Sequence, residues 1–174
     1  KFDIIESVGV LHHMDNPFKG WKILTSCLNN DSLMLVGLYS EKAREYITQI
    51  KNKINELKIQ SDYKNIIKFR KDLIENNNDK WGHIKLSPDF YTVSGVRDLL
   101  FHVQEHKFTI RKIKEHLDKL GLIFLGFEDQ SVKKNFKDNY ANKNDLYNLD
   151  KWEIYEKSNP RIFAGMYQFW CKKI

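Results

Sequence analysis

At 174 residues the chain has the size of one domain and is long enough to bury a substantial core. Its 41% hydrophobic and 13% aromatic content excludes a disordered chain, and no apolar run reaches the roughly 18 residues that a membrane helix needs. The net charge of +6 is enough to attract an acidic partner, but lysines are spread along the whole chain, which argues against a nucleic-acid footprint.

The chain opens on Phe2-Asp3-Ile4-Ile5-Glu6-Ser7-Val8, a short β-compatible run that leads into Gly9, then His12-His13, then Asp15-Asn16-Pro17. That pattern reads as strand, functional loop and helix start. Asp15 or Asn16 caps a helix with Pro17 in its first turn and Phe18, Trp21, Leu24 and Leu28 on one face; Asn29-Asn30-Asp31 ends it. Ser32 to Leu38 reads as the next strand, apolar on both faces as a covered parallel strand requires. The three elements make a βαβ unit, for which a right-handed crossover is expected.

Ser40 is placed to cap a helix carrying Ile47, Ile50, Ile54 and Leu57, and Ser61 or Asp62 to open another carrying Tyr63, Ile66, Ile67, Phe69 and Ile74, closed by Asn76-Asn77-Asn78-Asp79. Both have charged outer faces and read as a helical insertion over residues 41–90. It is either a cover for a pocket, a solvated hairpin, or a basic face for an acidic partner. Trp81 to Thr92 reads as loop. A helix is expected from about Gly95 to Val103, and another capped by Thr109, carrying Ile110, Ile113, Leu117 and Leu120 and stopped by Gly121. Leu122 to Phe127 reads as a buried strand and Met166 to Lys172 as the final one. Between them lie loop and short helices, the clearest near Asp150 to Lys157. Cys27 and Cys171 are expected as buried thiols, not a disulfide.

Several of these segments carry a family resemblance. Phe2 to Glu6 followed by Gly9-Val10-Leu11-His12-His13-Met14 resembles the fourth-strand motif of class I S-adenosylmethionine-dependent methyltransferases. The likeness continues through Pro17 to Trp21, Gly37 to Glu41, Asp98 to His106 and Gly165 to Trp170, and is weakest over 50–90 and 130–150. It is most similar to the subgroup often fused to tetratricopeptide repeats. The resemblance implies an α/β, Rossmann-like methyltransferase sheet of which residues 1–174 form the carboxyl-terminal portion. It also implies a last strand that inserts antiparallel between its two predecessors, giving the order first, second, fourth, third.

It implies function as well: transfer of a methyl group from S-adenosylmethionine to a small-molecule or protein acceptor; a cytoplasmic setting is expected from the lack of a membrane-length apolar run and of a signal-peptide pattern. Ser7, Gly9, Val10, Leu11 and His12 are its cofactor-contact positions. His12, His13, His102 and His106 are the candidates for the acceptor pocket or for proton transfer. The chain begins at Lys1 in a strand, and its glycines are all isolated, so the family's glycine-rich turn is absent. With roughly 30 residues per strand-helix-strand unit, about 60 to 100 upstream residues are expected, and the upstream half of the domain becomes the first partner.

Two other function classes compete. His102-Val103-Gln104-Glu105-His106 matches the H-x-x-E-H pattern of zinc peptidases, in which two histidines one helical turn apart bind metal. Phe108-Thr109 starts a new element at once and no third ligand follows, so no metal is expected. A noncatalytic module that binds protein or nucleic acid through a basic insertion is the other alternative.

Overall fold

The computed structural model describes residues 1–75, 79–102, 104–140 and 142–174. The chain packs as two units. One is built from Lys1–Ala43 and Gln104–Ile174, the other from Arg44–Val103.

The first unit is organised by a four-stranded sheet of β1 (Phe2–Val8), β2 (Leu28–Tyr39), β3 (Leu122–Phe127) and β4 (Met166–Lys173). Its order is β1-β2-β4-β3, with β1 parallel to β2 and β4 antiparallel to both neighbours. The expected order and the antiparallel last strand are therefore present, in a mixed sheet with one parallel pair. Since β3 and β2 both oppose β4, β1, β2 and β3 run the same way. Val8, Tyr39 and Phe127 thus end on one rim, where β4 begins.

Register fixes the two faces. Ile5 and Ser7 pair with Met34 and Val36, which pair in turn with Cys171 and Phe169. With Leu38, Tyr167, Leu122 and Phe124 these line the core, covered by α1 (Pro17–Cys27), α5 (Ile110–Leu120) and α7 (Leu149–Ser158). The opposite face was expected to be covered too, but is not: Leu33, Leu35 and Trp170 are half-buried, and Phe2, Ile4 and Ile123 are exposed. An antiparallel partner relaxes the two-sided burial that an all-parallel sheet imposes.

Asn16 caps α1, its side chain accepting the Lys19 N–H at 2.9 Å, and Pro17 takes the first helical position, where a missing N–H costs nothing. The helix ends at Cys27, earlier than its apolar spacing suggests. Leu28 already pairs with Phe2; the register then slips, with Asp31 at φ +62°, and resumes at Ile4 and Leu33. Thr109 caps α5 and Gly121 ends it in the left-handed conformation, as expected. Asp129 and Asn148 cap α6 (Gln130–Lys137) and α7 with their side chains. Cys171 is buried, which pushes its thiol up to about 12; Cys27, at the end of α1, is only half-buried.

The second unit holds α2 (Glu45–Glu56), α3 (Tyr63–Glu75) and α4 (Val93–Phe101) around Ile47, Ile50, Ile54, Ile66, Phe69, Val96, Leu99 and Leu100. Three expectations are corrected here. Leu57, Tyr63 and Ile74 are exposed, and Leu73 takes the inward position in α3. Residues 81–92, read as loop, lie largely in short 3-10 helices, Asp79–Leu86 and Pro88–Tyr91, that bury Ile84 and Phe90. Thr92 caps α4 two residues before the expected start. The expected stop at Asn76-Asn77-Asn78 and the inward place of Val103 lie outside the described residues.

Gly37 is where β1 and β2 approach most demandingly. A Cβ there would stand 2.7 Å from Val8 Cγ1 and 2.9 Å from Val8 Cα, and a backbone atom cannot swing aside. Gly37→Ala is expected to lower stability by about 1–3 kcal/mol, as overpacking of a tight site does, measured as a fall in the denaturant midpoint with unchanged m-value.

Candidate functional site

Ligands of open α/β sheets collect at the carboxyl ends of the parallel strands, so the rim beyond Val8 and Tyr39 is the place to look. There the chain leaves β1 through Gly9 at φ +78°, a conformation that costs any other residue strain, and a Cβ on Gly9 would meet nothing within 4 Å. Val10 follows, 56% exposed. A single 3-10 turn, Leu11–His13, then folds inward, with His13 N–H donating to Val10 O at 3.0 Å.

The inward turn decides what each residue can touch. Leu11 and His12 are buried, His12 at 0% exposure, and Ser7 is buried on the core face of β1. The His12 imidazole stacks on Tyr39 at the end of β2, with ring centroids 3.7 Å apart and planes 26° apart. His13 meets the same pair edge-on, 4.4 Å from His12 and 5.6 Å from Tyr39. It is half-buried, and its Nδ1 donates to Gln104 O at 3.3 Å in the tautomer that carries a proton there.

A second segment of the same unit lies along this rim. His106 N–H donates to His12 O at 2.8 Å, and Gln104 Nε2 donates to Asp15 Oδ1 at 3.3 Å. Phe108 N–H donates to Tyr39 O at 2.8 Å and Glu41 N–H to Phe108 O at 2.9 Å, so residue 108 pairs like a short parallel strand with Ser40. Ser7, Gly9, Val10, Leu11, His12, His13 and His106 are thus assembled in one unit. His102 belongs to the other.

The H-x-x-E-H reading requires helix across its five residues. Instead α4 ends at Phe101, His102 is extended at φ −63°, ψ 127°, and 104–107 are not helical. Among the described residues no three His, Cys, Asp or Glu side chains gather as a metal site.

Sequence reasoning missed the polar cluster behind the rim. Ser40, expected to cap α2, accepts the Ala43 N–H at 3.1 Å and so caps only the turn before it; α2 starts at Glu45 with no side-chain cap. The Ser40 hydroxyl donates to Glu156 Oε1 at 3.2 Å, and the Tyr167 hydroxyl donates to the same oxygen at 2.5 Å. Burial is the main cause that raises the Glu156 carboxyl above its ordinary range, against the lowering effect of these two donors and of Lys42. A signal existed: Glu156 follows Leu149 by seven residues and Trp152 by four, an apolar-face position of α7.

His116 was also passed over. It packs on Phe18, Trp21 and Phe108, and loss of hydration holds its imidazole below the ordinary range. A groove of about 560 Å³ lies between Leu117, Gly121 to Phe124, Tyr147 to Leu149 and Ile174. It opens at the start of β3, on the rim opposite Gly9 and away from the carboxyl ends of the parallel strands, where ligands of such sheets collect.

No family model matches the chain. An uncharacterised protein of Synechococcus sp. is 25% identical over 175 residues, which cover 93% of this chain and 42% of that protein. Among solved structures, PKMT2 from Rickettsia typhi superposes with a TM-score of 0.70 at 16% identity, over 99% of this chain and 35% of that one. The same protein in complex with AdoHcy gives 0.62 at 16% identity, over 99% and 36%. The chain therefore shares the fold of part of PKMT2, and it spans under half the length of these proteins.

Two outcomes test this geometry. Because burial raises the Glu156 carboxyl, its contribution to stability is present at low pH and is lost as pH rises through its folded-state pKa. The stability of the native protein relative to Glu156→Gln is therefore expected to increase as pH falls from neutral toward the ordinary carboxyl range, followed by denaturant melts across pH. Tyr39→Ala removes the stack on His12, and faster hydrogen exchange at the His106 amide is expected, read by NMR, while amides in α6 stay protected.

Proposed function

We propose that this chain is the carboxyl-terminal part of a methyltransferase domain that transfers a methyl group from S-adenosylmethionine to a small-molecule or protein acceptor. The observation that carries the reading is the exit of β1: open space over Gly9, exposed Val10 beside it, and both on the carboxyl rim. The likeness to PKMT2, a protein also solved with AdoHcy, supports it.

The donor set suits such a cofactor. Backbone at Gly9 is open to close approach, Val10 offers an apolar contact for a ring or methylene chain, and Ser7, Leu11 and His12 hold that surface from beneath. Bound S-adenosylmethionine supplies a sulfonium methyl that is already electrophilic, so the protein's work is orientation and exclusion of water. A nitrogen or oxygen acceptor has also to lose a proton. His13 is the more accessible of the two rim imidazoles and is assigned to the acceptor side; His12, fully buried, positions it through their ring contact and through Tyr39. His106 acts through its backbone bond to His12 O, and His102 receives no role.

The remainder of the domain is the first partner in this proposal. β1 pairs on one side only among the described residues, and Phe2 and Ile4 are 61% and 56% exposed on the open sheet face. An apolar edge strand is a template for pairing and an apolar sheet face asks for a cover. The relatives have the length to supply both, since this chain spans 35% to 42% of them. An upstream tetratricopeptide region that delivers the acceptor, and a cytoplasmic setting, belong to the same proposal.

The rival reading, a binding module with a basic insertion, needs charge concentrated there. Residues 44–103 carry 11 of the 29 basic and 8 of the 23 acidic residues, so basic side chains there are interspersed with acidic ones.

In the full-length protein, Val10→Asp is expected to weaken AdoHcy binding by about tenfold or more by calorimetry, with an unchanged melting temperature. Undiminished affinity would remove the proposed site. The chain of 174 residues alone is expected to bind weakly or not at all, and micromolar affinity would remove the fragment reading.

A further inference from the structure

The polar cluster behind the rim has no place in the binding surface described above, yet it is built with care. Glu156 is 1% exposed, and a buried carboxylate persists only where donors compensate it. Both donors come from other elements of the sheet unit, Tyr167 from β4 and Ser40 from the end of β2, and they converge on one oxygen. The charged groups that act on the pair include Lys42, Glu41 and Glu153.

Ser40 is the junction. Its backbone N–H donates to Gly165 O at 2.9 Å, its hydroxyl donates to Glu156, and the same hydroxyl oxygen accepts the Ala43 N–H. One residue earlier stands Tyr39, whose ring stacks on His12 and whose carbonyl accepts the Phe108 N–H. The last peptide of β2 is therefore held on its core side by Glu156 and on its rim side carries the ring that sets His12. Backbone bonds to Phe108 and Gly165 also hold this end, and the Ser40 hydroxyl adds the side-chain tie that reaches α7.

We infer that Glu156 is a positioning residue: acting through the Ser40 hydroxyl, it holds the end of β2 so that Tyr39 stacks on His12 and fixes the Gly9–His13 surface. The bond to Tyr167 is a separate arm that ties α7 to β4. The two arms make different demands. Loss of the Ser40 arm frees the rim; loss of the Tyr167 arm lowers stability and leaves the rim in place. Insofar as it concerns ligand binding, the inference rests on the methyltransferase reading; insofar as it concerns the Tyr39–His12 stack, it does not.

The test is made in the full-length protein with Ser40→Ala, Tyr167→Phe, Glu156→Ala and, as the conservative variant, Glu156→Gln, whose amide oxygen still accepts a hydroxyl. Two quantities are read: the ring-current shift of the His12 imidazole protons by NMR, and AdoHcy affinity by calorimetry. The expected result is loss of the ring-current shift in Ser40→Ala and Glu156→Ala, its retention in Tyr167→Phe, and rescue in Glu156→Gln. AdoHcy affinity is expected to fall about tenfold in the first two variants alone. A His12 shift that is unchanged in folded Ser40→Ala overturns the inference, as does one lost equally in Tyr167→Phe. Should Glu156→Ala fail to fold, Ser40→Ala against Tyr167→Phe still decides. A His12 shift that moves as expected in a protein whose native form binds no AdoHcy supports the positioning role and overturns the methyltransferase reading.

Discussion

β2 is hydrogen-bonded on both sides, parallel to β1 and antiparallel to β4, and this double pairing sets the positions of everything at the rim. A strand pinned on both edges has one register on each, since a slip of one residue would turn Met34, Val36 and Leu38 out of the core. With the register fixed, Val8 and Tyr39 must end near one another, because Val8 faces Gly37. The absence of a side chain at Gly37 is what lets them lie so close. The stack of His12 on Tyr39 follows from this placement, and so does the inward fold of Leu11–His13. The outward position of Gly9 and Val10 is the other side of the same turn.

The sheet is asymmetric in its burial. One face carries α1, α5 and α7 and a dense aromatic cluster, in which Phe127 meets Trp152, Phe163, Tyr167 and Phe169, and Phe136 of α6 stacks on Trp152 at 3.8 Å. Such rings bury large areas and favour tilted or offset contacts, so this half of the unit has the packing of a finished core. The other face is half-covered leucine and tryptophan with exposed Ile4 and Ile123.

Much of this was legible because local and tertiary demands agree. α5 shows a cap at Thr109, apolar residues at Ile110, Ile113 and Leu117, and Gly121 at its end, and it forms over those residues. β3 announces itself by the continuous apolar run from Leu122 to Phe127 directly after Gly121. The misreadings have physical causes. Leu28 has helical spacing from Leu24, but its pairing with Phe2 across the sheet outweighs helix continuation. Residues 79–91 show no clear period because a 3-10 helix repeats every three residues, and short runs of it bury only a side chain or two. At the site, Gly9 and Val10 could be singled out by their place after a strand. That His12 faces inward could not be read, because two adjacent histidines look alike in sequence and only the turn decides which is buried. Ser40 read as a helix cap because serine before a helical run usually is one; its hydroxyl instead serves Glu156, 116 residues away. The partnership of Ser40, Glu156 and Tyr167 spans three elements, and no spacing rule connects them.

Amide hydrogen exchange of the full-length protein with and without AdoHcy decides whether the exit of β1 is a cofactor surface. Protection on addition of AdoHcy that centres on residues 9–13 is the expected result. Protection that leaves those amides unchanged and falls instead on Gly121 to Phe124, beside the groove on the opposite rim, would contradict it.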